Sequence, residues 1–178
     1  NFKELLLKNK IENRYFLFGF VGRIAKDKGI FELILAFKEH VKDYPDSYLI
    51  VIGFNELGKE FLDQIKNIQN IIFLGFKSDI HLYINCFDTF VLPSHREGFG
   101  TVILEAAACS VPIISTNING PKDFIQNNVN GYLVEPKDIN SLKDGLDYFR
   151  DNPIQIKKFS SKALELVTLK YNIDYVSK

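Results

Sequence analysis

The chain has no methionine and no tryptophan, only two cysteines, and no excess of either charge. Each shortage narrows the reading. A translated chain starts with methionine, so these 178 residues are expected to be a piece of something longer. Lysine plus arginine and aspartate plus glutamate number 22 each, which leaves no net positive field to gather nucleic acid or an anionic membrane. Any anion that binds has to be gripped locally. Cys86 and Cys109 stand in apolar surroundings and fit no metal-ligand spacing, so they read as buried free thiols in a reducing compartment. No apolar run approaches the ~18 residues of a membrane span, and no signal sequence leads the chain. The cytosol is the expected location, with any membrane association left to the full-length protein. There is also no Asp-x-Asp pair, which counts against a metal-held phosphate.

What is present is an alternation. Residues 1–14 are polar and lysine-rich around Leu5, Leu6 and Leu7 and read as a lead-in segment or linker. From 15 to 178, short β-rich runs at 15–21, 48–53, 70–75, 87–92, 111–116 and 131–135 alternate with amphipathic ones. Ile30, Leu33, Ile34, Phe37 and Val41 recur at helical spacing, and further helices are expected at 57–67, 78–85, 101–109, 138–150 and 154–169. Such alternation predicts an α/β fold: a doubly wound, Rossmann-like parallel sheet of about six strands with helices on both faces. A chain of this length buries roughly 70% of its unfolded surface, enough for one full core.

If the strands take the common order 3-2-1-4-5-6, a crevice opens where the chain reverses between strands 1 and 4. The loop after strand 1 is "GRIAKDKG" (22–29) and the loop after strand 4 is "PSHREGFG" (93–100). These two polar, glycine-bearing loops would meet there. Gly98 and Gly100 permit unusual dihedrals and close ligand approach, and Thr101 is placed to cap the next helix. Its first amides, with the dipole, suit phosphate oxygens, and Arg23 and Lys28 add full charges from the facing loop. Glu97 and Glu105 would repel a phosphate directly, so they make sense facing hydroxyls on either side of it. A nucleoside diphosphate sugar has that layout, with a sugar at one end and a ribose at the other. The plain alternatives are a solvated loop for Arg23 and Lys28, a loop charge for Glu97 and a solvated helix position for Glu105.

Together "VGRIAKDKG", "EGFGTVILEA" and "STNINGPKDFIQNNVNGYLVEPKD" resemble the C-terminal domain of retaining glycosyltransferases of the GT-B fold, family 4. The resemblance implies that Gly22, Arg23 and Lys28 hold the diphosphate and that Glu97 binds the donor sugar. It implies that the amides of Gly98, Phe99, Gly100, Thr101 and Val102 touch sugar and phosphate, that Glu105 takes the ribose, and that Gly75 and Phe76 border the base. Arg23, Lys28 and Glu97 would then be catalytic. No cofactor or metal is implied; the donor is the nucleotide sugar, and the acceptor is a glycan or glycolipid reached through an N-terminal domain outside these residues. Surface polysaccharide or lipopolysaccharide synthesis is the implied setting. Asn119, Gly120 and Asp123 stand where the family often has Gly-Gly and a glutamate. A sugar-nucleotide 2-epimerase and a non-catalytic nucleotide-sugar binding module remain as alternatives. His40 and His81 are expected to face solvent, and His95 to be incidental.

Overall fold

A computed structural model describes residues 15–98 and 100–171. Among them, β1 (Phe16–Val21), β2 (Ser47–Ile52), β3 (Ile71–Phe73), β4 (Thr89–Leu92), β5 (Ile113–Thr116) and β6 (Tyr132–Val134) form one sheet in the order β3-β2-β1-β4-β5-β6. Every pairing is parallel. The strand sequences are near-continuous apolar runs, and β4 and β5 are buried at every residue. That is the pattern of strands covered on both faces. The expected fold class and strand order are both present.

The helices are α1 (Ile30–Asp43), α2 (Lys59–Ile65), α3 (Ile80–Ile84), α4 (Thr101–Ala108), α5 (Pro121–Phe124), α6 (Ile139–Asp151) and α7 (Pro153–Lys170). In α1 the stripe Ile30, Leu33, Ile34 and Phe37 is fully buried, and the helix packs against α6. The apolar α4 lies under α7, with Ile103, Leu104, Ala106 and Ala107 buried. Asp138 starts α6 with a true cap, its side chain accepting the Ser141 N–H at 2.9 Å. Two short elements have no counterpart in the periodicity: α5 and a 3-10 turn at Lys26–Lys28. Both are too short to establish a repeat.

Two expectations are corrected. His40 does not face solvent; it is fully buried, with Nδ1 2.6 Å from Asp147 Oδ1 and Nε2 3.0 Å from Ser47 Oγ. Its position, three residues after Phe37 and seven after Leu33, puts it on the apolar stripe, and its carboxylate partner arrives on α6 from 107 residues away. Rings of Phe18, Phe37 and Tyr44 enclose it at 5.2, 5.7 and 4.8 Å. Cys86 is exposed rather than buried, its thiol reaching only the Leu82 carbonyl at 3.4 Å, and Cys109 is half-buried. Cys86 follows α3, a five-residue helix too short to cover it.

Loop nesting decides the edge of the sheet that carries the strand C-termini. Gly29 has φ 67°, and a Cβ there would lie 2.0 Å from the Pro93 carbonyl oxygen. The first and fourth crossovers therefore touch backbone to backbone. Gly29→Ala combines a left-handed backbone with a clash against main chain, so a loss of about 2 kcal/mol or more is expected in urea unfolding.

Burial pushes the His40 pKa below its usual value, outweighing the bond to Asp147. The unfolded chain thus takes up a proton near pH 6.5 that the fold resists, and stability falls as pH drops below that point. Lys143 and Arg150 act in the same direction. The urea midpoint of wild type is expected to fall more steeply than that of His40→Asn between pH 7.5 and 5.5.

Candidate functional site

The site is assembled by backbone before any side chain takes part. Past the end of β1 and β2 the ladder continues: Gly22 N–H donates to Ile52 O at 3.0 Å, Ile24 N–H to Phe54 O at 2.8 Å, and Glu56 N–H to Ile24 O at 3.2 Å. The first loop then turns through Lys26–Lys28 into Gly29. The fourth loop is tied to that turn, with His95 N–H donating to the Asp27 carbonyl at 2.8 Å. A third loop joins at Gly120, whose φ is 92° and whose Cβ would sit 1.9 Å from Gly98 O. Its Asp123 accepts the Gly120 N–H at 3.3 Å, so the Asn119–Gly120–Asp123 variant serves to shape this loop.

Two adjoining hollows result. The first, about 280 Å³, is lined by Gly22, Arg23, Lys28, Glu97, Gly100, Thr101, Val102 and Glu105, with Val21, Ile80 and Leu92. Eight of these eleven lining residues, from two loops and one helix, are among those singled out in the sequence. The second, about 370 Å³, is largely apolar and is lined by Val21, Gly22, Arg23, Ile52, Gly53, Phe54, Phe76, Lys77, Ser78 and Ile80. Phe54 and Phe76 are 65% and 71% exposed, unusual for phenylalanine. A shallower and larger depression of about 550 Å³ lies far along the chain, on the outer face of α7 between Ile154 and Glu165. It gathers three lysines and one glutamate, with Lys162 paired to Glu165 at 2.7 Å.

Lys28 Nζ lies 2.8 Å from Glu97 Oε2, and both side chains are only 14% exposed. Ser94 Oγ donates to the same oxygen at 3.2 Å, while its carbonyl accepts Thr116 Oγ1 at 2.6 Å. Glu97 is thus fixed from two sides. Arg23 is half-exposed, and Nη1 bonds both oxygens of Glu56 at 3.0 and 2.8 Å while Nη2 meets Asp27 at 3.3 Å. These carboxylates hold the guanidinium pKa above its ordinary value, Glu56 first and Asp27 next. Neither cation stands alone, since each is already paired with a carboxylate.

Gly100, φ 70°, is the N-cap of α4, and Thr101 is its first helical residue, so the capping role expected of Thr101 is corrected: no side chain caps this helix. A residue inside the first turn cannot cap it, and the first amides are left for a ligand or water. Glu105 sits one turn deeper. Its Oε2 is buried with no hydrogen-bond partner, and burial raises the carboxyl pKa, opposed weakly by His81. Gly98 and Gly75 line neither hollow; Gly75 instead accepts the Gly53 N–H at 3.0 Å and so shapes the rim. Phe99 lies outside the described residues. His95 Nε2 is 3.1 Å from Glu32 Oε1 but badly aligned, leaving the nitrogen buried and unsatisfied.

Sequence reasoning missed Phe54, Ile80, Ser94 and Glu56. Ser94 lies in a loop already singled out and Ile80 in the helix expected after Gly75 and Phe76; Phe54 and Glu56 follow β2, where no residue pattern draws notice. Among the described residues no group of three or more His, Cys, Asp or Glu side chains is close enough to hold a metal ion, and no helix is long and apolar enough to cross a membrane.

Residues 1–165 match the family model described as glycosyl transferases group 1. The chain is 38% identical over 151 residues to the capsular polysaccharide biosynthesis glycosyltransferase CapM of Staphylococcus aureus, covering 78% of this chain and 40% of that protein. It is 31% identical over 157 residues to the UDP-Gal:alpha-D-GlcNAc-diphosphoundecaprenol alpha-1,3-galactosyltransferase of Escherichia coli, covering 83% of this chain and 41% of that one. Among solved structures, the C-terminal domain of the group 1 glycosyl transferase LpcC of Francisella tularensis superposes with a TM-score of 0.82 at 34% identity, over 97% of this chain and 94% of that one. The chain thus spans about 40% of the length of the two curated relatives and nearly all of one excised C-terminal domain.

Half-buried and with Oε2 unsatisfied, Glu105 costs stability when ionised. Because its folded pKa is raised, the penalty is complete well above that pKa and disappears below the ordinary carboxyl value of 4.5. Glu105→Gln is expected to raise the melting temperature at pH 7 by about 2–4 °C, and to leave it unchanged at pH 4.

Proposed function

Because the chain belongs to the glycosyl transferases group 1 family, we propose that it is the donor-binding half of a family 4 retaining glycosyltransferase. The full enzyme moves a sugar from a nucleoside diphosphate sugar to an acceptor hydroxyl. One observation carries this reading: two cations, two carboxylates and an uncapped helix start line a single hollow at the C-terminal ends of β1 and β4. On this reading residues 15–178 form the nucleotide-sugar domain, residues 1–14 lead into it, and an N-terminal domain of a longer chain supplies the acceptor site.

Arg23, Lys28 and the first amides of α4 take the diphosphate. Glu97 accepts hydrogen bonds from the donor sugar, and Glu105, one turn deeper, accepts them from the ribose. The apolar second hollow, with Phe54 and Phe76, receives the base. Cleavage of the sugar–phosphate bond builds negative charge on the β-phosphate, so the cations and amides bind the transition state more tightly than the ground state, which lowers the barrier. Attack comes from the face the leaving group departs, and the phosphate oxygen takes the acceptor's proton, so the anomeric configuration is kept without a protein nucleophile. The E. coli relative, named for UDP-Gal, supports a uridine donor, and CapM, named for capsular polysaccharide biosynthesis, supports a role in surface polysaccharide synthesis.

Binding has one electrostatic requirement. Lys28 already holds Glu97, so the diphosphate has to draw the ammonium toward itself, and that movement releases a Glu97 oxygen for the sugar. In calorimetry UDP is expected to bind the 178-residue chain, with Lys28→Ala weakening it by about tenfold or more, the worth of one charge-assisted bond. In the full-length enzyme the same change is expected to lower turnover by about 10²-fold. A melting temperature unmoved by millimolar UDP, GDP or ADP would sink the reading.

A further inference from the structure

The carboxylate that grips Arg23 belongs to neither hollow. Glu56 follows β2, and its place is set by main chain: its own N–H is bonded to Ile24 O, and Ile24 N–H to Phe54 O, on either side of an isolated parallel bridge between Ile24 and Asn55. The turn beyond is closed by Asn55, whose side chain accepts Leu57 N–H at 3.0 Å and donates to Gly58 O at 2.9 Å. Glu56 is therefore carried on a braced loop and not on a mobile one, and it presents both oxygens to a single nitrogen of Arg23. Arg23 stands in the wall shared by the two hollows, so the direction of its fork decides which of them its remaining N–H groups serve.

We propose that Glu56 is a positioning residue for the donor: it fixes the Arg23 guanidinium at the junction of the two hollows so that its unused donors meet the diphosphate. The proposal rests on the donor reading above and adds a residue that reading does not include. Two effects of Glu56 oppose each other. Its charge repels a phosphate, but the Arg23 charge in contact with it at 2.8 Å cancels most of that field, and solvent around both half-exposed groups screens the rest. Its grip removes the freedom of a long side chain before the ligand arrives, and such freedom is worth up to a factor of about 30. Positioning wins. Asp27 helps from the other end of the fork with one contact at 3.3 Å, whereas Glu56 takes two, at 3.0 and 2.8 Å, and is the stronger holder.

The test is a double-mutant cycle read by UDP titration of the 178-residue chain. Glu56→Ala is expected to raise the dissociation constant about tenfold, and Glu56→Gln, which keeps one acceptor of the same shape, about threefold. In an Arg23→Ala background Glu56→Ala is expected to add less than twofold, because there is no fork left to orient. Glu56→Gln keeps the test sharp if the alanine variant folds poorly. Binding that is unchanged or tighter in the Glu56 variants, or an effect of full size without Arg23, overturns the proposal while leaving the donor reading intact. A wild-type chain that binds none of UDP, GDP and ADP overturns both.

Discussion

At Gly29 the first crossover runs so close to the fourth that only a hydrogen atom fits between its α-carbon and the Pro93 carbonyl. Everything proposed for the site depends on that contact. The strand order opens a crevice between β1 and β4, but an open crevice is only space. The nesting of main chain at Gly29, reinforced by the Asp27 carbonyl and by Gly120 under Gly98, brings a lysine from one loop within hydrogen-bonding distance of a glutamate from the other, 69 residues on. Side chains finish what the backbone has already arranged.

The electrostatics follow the same economy. Around the first hollow Arg23 and Lys28 face Asp27, Glu56 and Glu97, so the cluster carries no surplus of positive charge. A chain with no net charge cannot draw a nucleotide from a distance, and this site does not do so locally either. Recognition has to come from exchange of partners at close range, where the uncapped amides of α4 supply positive ends that no carboxylate has claimed. A site of this kind should favour a ligand with both an anionic middle and hydroxyl-bearing flanks over a bare anion, since each displaced carboxylate then regains a donor.

The layout was legible because its signals are repetitive. Six apolar runs separated by helical stripes admit few arrangements, and Arg23 and Lys28 stand out between Gly22 and Gly29, as Glu97 and Glu105 do by their spacing around Gly98 and Gly100. What escaped depends on pairs distant in sequence. His40 carries the spacing of a core residue but by residue type reads as a surface histidine, because Asp147 and Ser47 cannot be matched to it without the fold. Glu56 resembles any loop glutamate until the β1–β2 ladder is extended past the strands. Thr101 suits a capping role by residue type, whereas the left-handed backbone at Gly100 puts the cap one place earlier. Cys86 looked apolar from its neighbours in sequence, yet its short helix leaves it open.

The wall common to both hollows, made by Val21, Gly22, Arg23 and Ile80, has a consequence for how such a protein diversifies. On the proposed reading a substitution there is felt at phosphate and base together, so drift toward a different nucleotide is penalised at those four positions. Phe54 and Phe76 each touch one hollow only and bulge into solvent, which leaves them as the places where a lineage can change its choice of base without loosening its hold on the leaving group.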